Sequence, residues 1–377
     1  MAKAWDDSNY PYRWEVVVDY DDNTPGANAT NPVALIVLTN TQAIEADELI
    51  SKRYRIFDST GTECDYDEDV YSGEQGVSYA NFKTWVRIGT LYSSPSGDQN
   101  KVWVYHGYDP GTDQDNPAGV WQNFEFVLHL ADLTDATGNH TPASAQAPTL
   151  AAAGGVVGDC YKWDSAGDYI SIPDHADLDG MDDYYISCWV YHEGAVGIDS
   201  AANCRYVCKG DYDGAWAMTT GTDLEHWNSP DSYEDSTIDI TAVLDQWLHL
   251  VIARRRNTVD GHRLYINGAE NSSPDPKDAS DAAIAANAAD VYIGNNAAKD
   301  RTLDGWMDEV RMGRFSPGAA NANVDDWVAF EYANITQADN EQTWAGARET
   351  QPTAGTLLML QPNLMANIGH RMAGGMQ

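Results

Sequence analysis

Apolar and polar residues alternate at period two along much of the chain, the pattern of strands that rest one face on a core. Ile170 and Ile172 share a face opposite Tyr169 and Ser171. In residues 184–191, Ile186, Cys188 and Val190 alternate with Tyr185, Ser187, Trp189 and Tyr191. Pro173 and the Asp/Gly-rich residues 174–183 turn the chain between these two strands. Further strands are predicted at 12–20 around Trp14, Val16 and Val18, at 54–58, at 82–88, at 101–106 and at 124–130. Residues 32–38 form an unbroken apolar run of strand length, which predicts burial on both faces, and residues 44–49 suggest a helical turn. In 247–255, Leu248, Leu250 and Ile252 alternate with His249, Val251 and Ala253, which places His249 outward as a surface residue. Asn267-Gly268 is a hairpin turn signal. Residues 221–235 show no strand pattern, 272–287 read as a long loop, and 315–333 as a mixed closing stretch.

Wording adds to pattern. The segment YKWDSAGDYISIPDHADLD…YYISCWVY is followed, in order, by DQWLHLVIARR (245–255), RLYING (263–268), DVYIG (290–294) and GWMDEVRMGR (305–314). Together these resemble a laminin-G/concanavalin-A-like module over about residues 125–335, which implies a jelly-roll β-sandwich. The entry from Trp5 to Arg13, with RIFDSTGTE (55–63), TWVRI (84–88) and KVWVYHGYDPG (101–111), resembles a small β-sandwich domain of unknown function. That domain often precedes such modules in secreted proteins, and the likeness covers about 5–112. The expected architecture is therefore all-β, with two tandem sandwiches at 1–118 and 119–340 and a C-terminal tail at 341–377 that is almost uncharged from 354 onward. Residues 131–155, rich in Ala, Gly and Pro, are expected to be a surface excursion of the second sandwich.

Charge narrows the function. With 58 Asp and Glu against 22 Lys and Arg, the net charge is −36. Such a surface repels phosphate backbones and anionic membranes, so neither nucleic acid nor a lipid surface is an expected partner. It suits a salty setting, or cation binding, or both. No run reaches the length of a membrane span. The opening residues MAKAWDDSNYPYRW carry no apolar leader core. The expectation is then a virion protein made in the host cytosol, or an extracellular protein whose leader lies outside this sequence. Five cysteines at low density predict neither a disulfide framework nor a zinc site; Cys188 reads as core, and Cys204 and Cys208 flank one strand closely enough to raise a pairing.

Candidate chemistry is sparse. Asp308 alternates onto the face of Val310 and Met312, where a carboxylate is costly unless paired or metal-bound. Relatives of the fold often hold a structural Ca²⁺ near the closing strand, so the resemblance implies Asp308 as a ligand with Asp168 or Asp164. The alternatives are a loop-capping Asp, or a bridge to Arg311 or Arg254. For glycan binding, Tyr212, Trp227, Asn228 and Tyr233 offer aromatic faces beside polar groups. The tail from 354 onward carries one charge, Arg371, and four of the nine Met. It reads either as a final strand and a loose end, or as a docking peptide through Leu357, Leu358, Met359, Leu360, Leu364 and Met365. The paired carboxylates of jelly-roll glycosidases, the nucleophile elbow and the HExxH motif are not evident. The sequence thus points to a non-enzymatic, oligomeric surface protein: a phage decoration, fibre or tail adhesin bound to other subunits, or alternatively a secreted glycan-binding adhesin of a marine or halophilic microbe.

Overall fold

The computed structural model describes residues 5–20, 26–38, 52–72, 81–199, 203–210, 216–228, 233–256, 258, 261–272, 286–314, 321–336, 342–344 and 348–351. The helical turn expected at 44–49, Tyr212 and every proposed docking residue of the tail lie outside them.

The N-terminal unit sets two antiparallel sheets face to face. One runs Gln342–Trp344, Tyr12–Val18, Lys101–His106, Arg55–Asp58, Glu63–Cys64. The other is Val33–Leu38, Asn81–Arg87, Tyr66–Ser72. The alternation read from sequence delivers Trp14, Val16 and Val18 to the shared core, where they meet Ala34, Ile36, Ile56, Val86, Val102 and Val104. The strands Gln342–Trp344 and Glu349–Thr350 both pair with Tyr12–Val18, so the first part of the segment expected as a tail completes the N-terminal sheet.

The second unit is the expected jelly roll. Its larger sheet runs Thr149–Ala151, Cys160–Trp163, Leu303–Arg314, Asp183–Gly197, Trp247–Arg255, His262–Ile266, Ala269–Glu270, with Phe124–Leu128 also paired to Leu303–Arg314. The facing sheet runs Ile170–Ile172, Val291–Ile293, Cys204–Lys209, Trp216–Thr220, Asp223–Asn228, Tyr233–Asp239. Ile170, Ile172, Ile186, Cys188, Val190, Leu250, Ile252, Val310 and Met312 fill the space between. Residues 221–235 therefore contribute to two strands, against expectation. Their inward positions include Leu224 and His226, and a buried histidine does not register as apolar in a sequence pattern.

The outer face of the larger sheet is also covered. The helix Asn321–Thr336, absent from the sequence reading, lays Val324, Val328 and Ile335 against Tyr185, Trp189, Val251 and Tyr265, together with Leu35, Trp85 and Trp121. Its Phe330 enters the N-terminal core. His249 is accordingly 1% exposed, not a surface residue: it stacks on Trp189 at 5.0 Å and lies 3.4 Å from Glu331. All five cysteines are buried thiols, and Cys204 and Cys208 lie on one strand with no disulfide between them.

Candidate functional site

The outer face of the six-stranded sheet carries the most ligand-like arrangement. Register sets it: Arg205 pairs with Thr219 and Thr219 with Glu225, so these three form one row across three strands. Ala217, Trp227 and Tyr233 are paired in a neighbouring row. Alternation sends Leu224 and His226 inward, His226 Nε2 meeting the Tyr184 hydroxyl at 2.8 Å, and leaves Glu225 and Trp227 outside. Trp227 is half-buried, and its indole Nε1 donates to Glu225 Oε2 at 2.7 Å. Gly221 makes room for that carboxylate, since a Cβ there would stand 2.4 Å from Glu225 Oε1. Arg205 donates through Nη1 to Thr219 Oγ1 and to the Cys204 carbonyl.

A braced loop completes the rim. Asn295 donates to the Asp168 carbonyl and Thr302 Oγ1, and accepts from the backbone N–H groups of Asn296 and Arg301. Asn296 Nδ2 donates to Asp300 Oδ1 at 3.0 Å, and the Asp300 N–H returns to Asn296 Oδ1 at 3.1 Å. The resulting open pocket of about 550 Å³ is lined by Asn203, Arg205, Glu225, Trp227, Asp300 and Arg301, among others. Asn203 Oδ1 is buried there without a hydrogen-bond partner among the described residues. One indole, two guanidinium groups, amides and carboxylates thus converge on a cavity of saccharide size. Of the four glycan residues expected from sequence, the structure places Trp227 in this pocket. Tyr233 stands opposite Trp227 in register and Asn228 opposite Trp216, with neither side chain among those described. Arg205, Glu225 and the loop from Asn295 to Arg301 were not found from sequence, because strand register and a loop 70 residues away bring them to Trp227.

The expected Ca²⁺ ligands do not assemble. A bulge with Glu309 at φ 51° shifts the phase of Leu303–Arg314, so Asp308 lies on the opposite side from Met307, Val310 and Met312. Asp308 Oδ2 accepts from the N–H groups of Val156 and Val157 at 2.7 and 3.0 Å, which is the loop-capping alternative. Burial, reinforced by Glu309, pushes its carboxyl well above the usual range. Asp168 instead accepts from the N–H groups of Ser165 and Asp164 in its own turn. Among the described residues, Asp308, Asp168 and Asp164 form no common ligand cluster.

A second polar concentration lies where the two units meet. His129 contacts Glu309 through Nδ1 at 2.9 Å and Asp67 through Nε2 at 3.0 Å, with Asp69 3.5 Å away. Trp85 and Trp121 donate their indole N–H groups to Asp69 and Asp67. Arg311 binds Glu309 and Glu331 and lies over both indoles, at 4.1 and 4.9 Å. Asp69, His129 and Glu309 lie close enough to hold an ion, but a guanidinium and an indole N–H already engage the carboxylates. This arrangement joins the two units electrostatically.

Residues 164–314 match the family model described as the Concanavalin A-like lectin/glucanases superfamily. No curated protein matches the chain. Among solved structures, the chain is similar to domain 4 of AbnA, a GH43 extracellular arabinanase from Geobacillus stearothermophilus, in complex with arabinotriose. Identity there is 23% and the TM-score 0.37, over 55% of this chain and 98% of that one. It is also similar to the binding domain of botulinum neurotoxin DC in complex with SialylT, at 11% identity and TM-score 0.41, over 58% of this chain and 52% of that one. The receptor binding domain of botulinum neurotoxin mosaic serotype C/D gives 14% and 0.38, over 56% and 50%. The chain thus spans nearly all of the arabinanase domain and about half of each toxin domain.

Proposed function

We propose that this is a non-enzymatic adhesion protein that binds saccharide in the Trp227 pocket of its concanavalin A-like domain, carried on the surface of a virion or a cell. The observation that carries the reading is the convergence of Trp227, Asn203, Arg205 and Arg301 on one open cavity built on a paired sheet and a braced loop. An indole gives apolar area to a sugar ring at small entropic cost, and amides and guanidinium groups orient hydroxyls around it. The buried Asn203 oxygen supplies an acceptor for a ligand hydroxyl. Binding is favoured over turnover because the two nearest carboxylates are engaged in support. Glu225 holds the indole and Asp300 holds Asn296. The virion setting rests on sequence: the acidic exterior and the weakly charged tail.

A glycan array followed by calorimetry on the best ligand tests the proposal. The intact protein is expected to retain at least one saccharide, and Trp227→Ala to lose about tenfold or more in affinity with an unchanged melting temperature. Retention of no saccharide by the intact protein would overturn the reading, as would release of new reducing ends from the bound glycan.

A further inference from the structure

The geometry points to a transition-metal site at His140, His175 and Asp177, on the second unit and apart from the Trp227 pocket. His140 Nε2 lies 3.7 Å from Asp177 Oδ1, and His175 Nδ1 lies 2.7 Å from the same oxygen. One ligand atom from each residue falls within 4.8 Å of the other two. Ions bound at about 2.0–2.2 Å by imidazole nitrogen and carboxylate oxygen hold neighbouring ligand atoms roughly 3–3.5 Å apart, so a small closure of this trio produces one facial half of a coordination shell.

Two further observations separate the cluster from an ordinary His–Asp pair. His140 has a 2% exposed side chain, and its Nε2, aimed at the carboxylate, has no hydrogen-bond partner among the described residues. Asp177 Oδ1 is likewise buried without an aligned donor, although His175 Nδ1 is close. A buried polar atom left unmatched costs about 1–3 kcal/mol, and here the Asp177 oxygen faces a ring nitrogen that offers a lone pair when the His140 proton sits on Nδ1, so two acceptors are unmatched at the same point. A cation held between two such lone pairs satisfies both.

The backbone fixes the ligands before any ion arrives. The loop that carries His140 is tied by Asp135, whose carboxylate accepts from the N–H groups of Val127, Thr137 and His140. His175 precedes, and Asp177 lies within, a single helical turn, Ala176–Leu178, anchored by Leu178 in the core and by Arg314 donating to the Asp177 carbonyl. Two imidazoles and one carboxylate select a borderline divalent ion such as Zn²⁺, with Co²⁺ and Ni²⁺ as substitutes. They disfavour Ca²⁺, which takes six to eight oxygens. Three protein ligands leave the remaining positions to water or an exogenous donor. The ion would cross-link the 124–140 segment to the turn that precedes Asp183–Gly197.

The test uses the full chain, stripped with chelator and titrated with Co²⁺ while visible absorption is followed, then with Zn²⁺ in competition. One equivalent is expected to bind, and to be displaced by Zn²⁺ and not by Ca²⁺. His175→Ala, at a side chain 57% exposed, is expected to keep the fold and weaken binding on the order of 100-fold. Asp177→Asn, the second variant, is expected to do the same. Absence of a stoichiometric site in the intact protein overturns the inference, and so does binding that both variants retain at full strength. Saccharide binding through Trp227 is unaffected by either result.

Discussion

Asp308 shows how one carboxylate can satisfy a physical rule by an unexpected route. A buried acid needs donors, and it finds them in the backbone of Val156 and Val157. That contact requires Gly155, where a Cβ would stand 2.5 Å from Asp308 Oδ2 and 3.0 Å from the Gly158 carbonyl. Gly155→Ala is expected to destabilise by about 1–3 kcal/mol. Gly154→Ala, whose Cβ would meet nothing closer than 3.3 Å, should cost clearly less. Denaturant melts of the two variants decide: equal losses would mean that the cap does not constrain the loop. The sequence made Asp308 conspicuous but misjudged its face, because a one-residue bulge at Glu309 inverts the alternation from which faces are read. Trp227 was legible because an indole between acids stands out in a polar stretch. Arg205 and Arg301 were not, because Arg205 nears Trp227 through pairing across three strands and Arg301 through a loop folded against Arg205.

At the scale of elements, alternation identified most of the strands, and within the apolar run at 32–38 Ala34 and Ile36 pack into one core and Leu35 into another, so both faces are covered there. It could not reveal that the larger jelly-roll sheet is also covered on its outer side. Tyr185, Ser187, Trp189 and His249 look amphipathic enough for a solvated face, and only the packed helix Asn321–Thr336 removes them from water. That helix is held by polar matching as well as by apolar area. Asn334 accepts from the Leu35 N–H at 2.6 Å and donates to the Leu35 carbonyl at 3.2 Å, taking the place of a neighbouring strand. Asn334→Ala would strand both groups, and a loss of about 1–3 kcal/mol in thermal or chemical unfolding is expected. Asn334→Asp should cost more, because it sets a carboxylate against a carbonyl oxygen. An alanine variant as stable as the parent would show that the helix is held by apolar contact alone.

For the whole molecule, the two units are joined by charge buried between indoles, so their union should respond to pH in a defined direction. Asp69 is pushed up to about 7, chiefly by burial, with Glu309 adding to it against the opposing pull of His129. Burial alone would raise Glu309, but His129 and Arg311 overcome it and hold the carboxyl down at about 2. His129 is disfavoured as a cation by burial, yet Glu309, Asp69 and Asp67 keep it protonated well above its ordinary range. The three contributions have different signs. Glu309 stabilises above its unfolded value of roughly 4.3 and loses that only as pH falls toward about 2. His129 stabilises fully below roughly 6.5 and loses that only above its raised value. Asp69 is the group that matters near neutrality. Its folded-state value exceeds the unfolded one of roughly 3.9, so its contribution is full below that point, falls as pH rises and is gone above about 7. Asp69→Asn removes this liability while leaving Trp85 Nε1 an oxygen to bind. Its stability advantage over the parent should therefore grow between about pH 4 and 7, by about 2–4 kcal/mol, and level off above. Paired melts at pH 5 and pH 8 measure the difference, with the other titrations shared by both proteins. A gap that does not change with pH would mean that Asp69 is already ionised in the folded state. In that case the junction would hold four carboxylates against His129 and Arg311, and its cohesion would rest on the indoles and on Arg311.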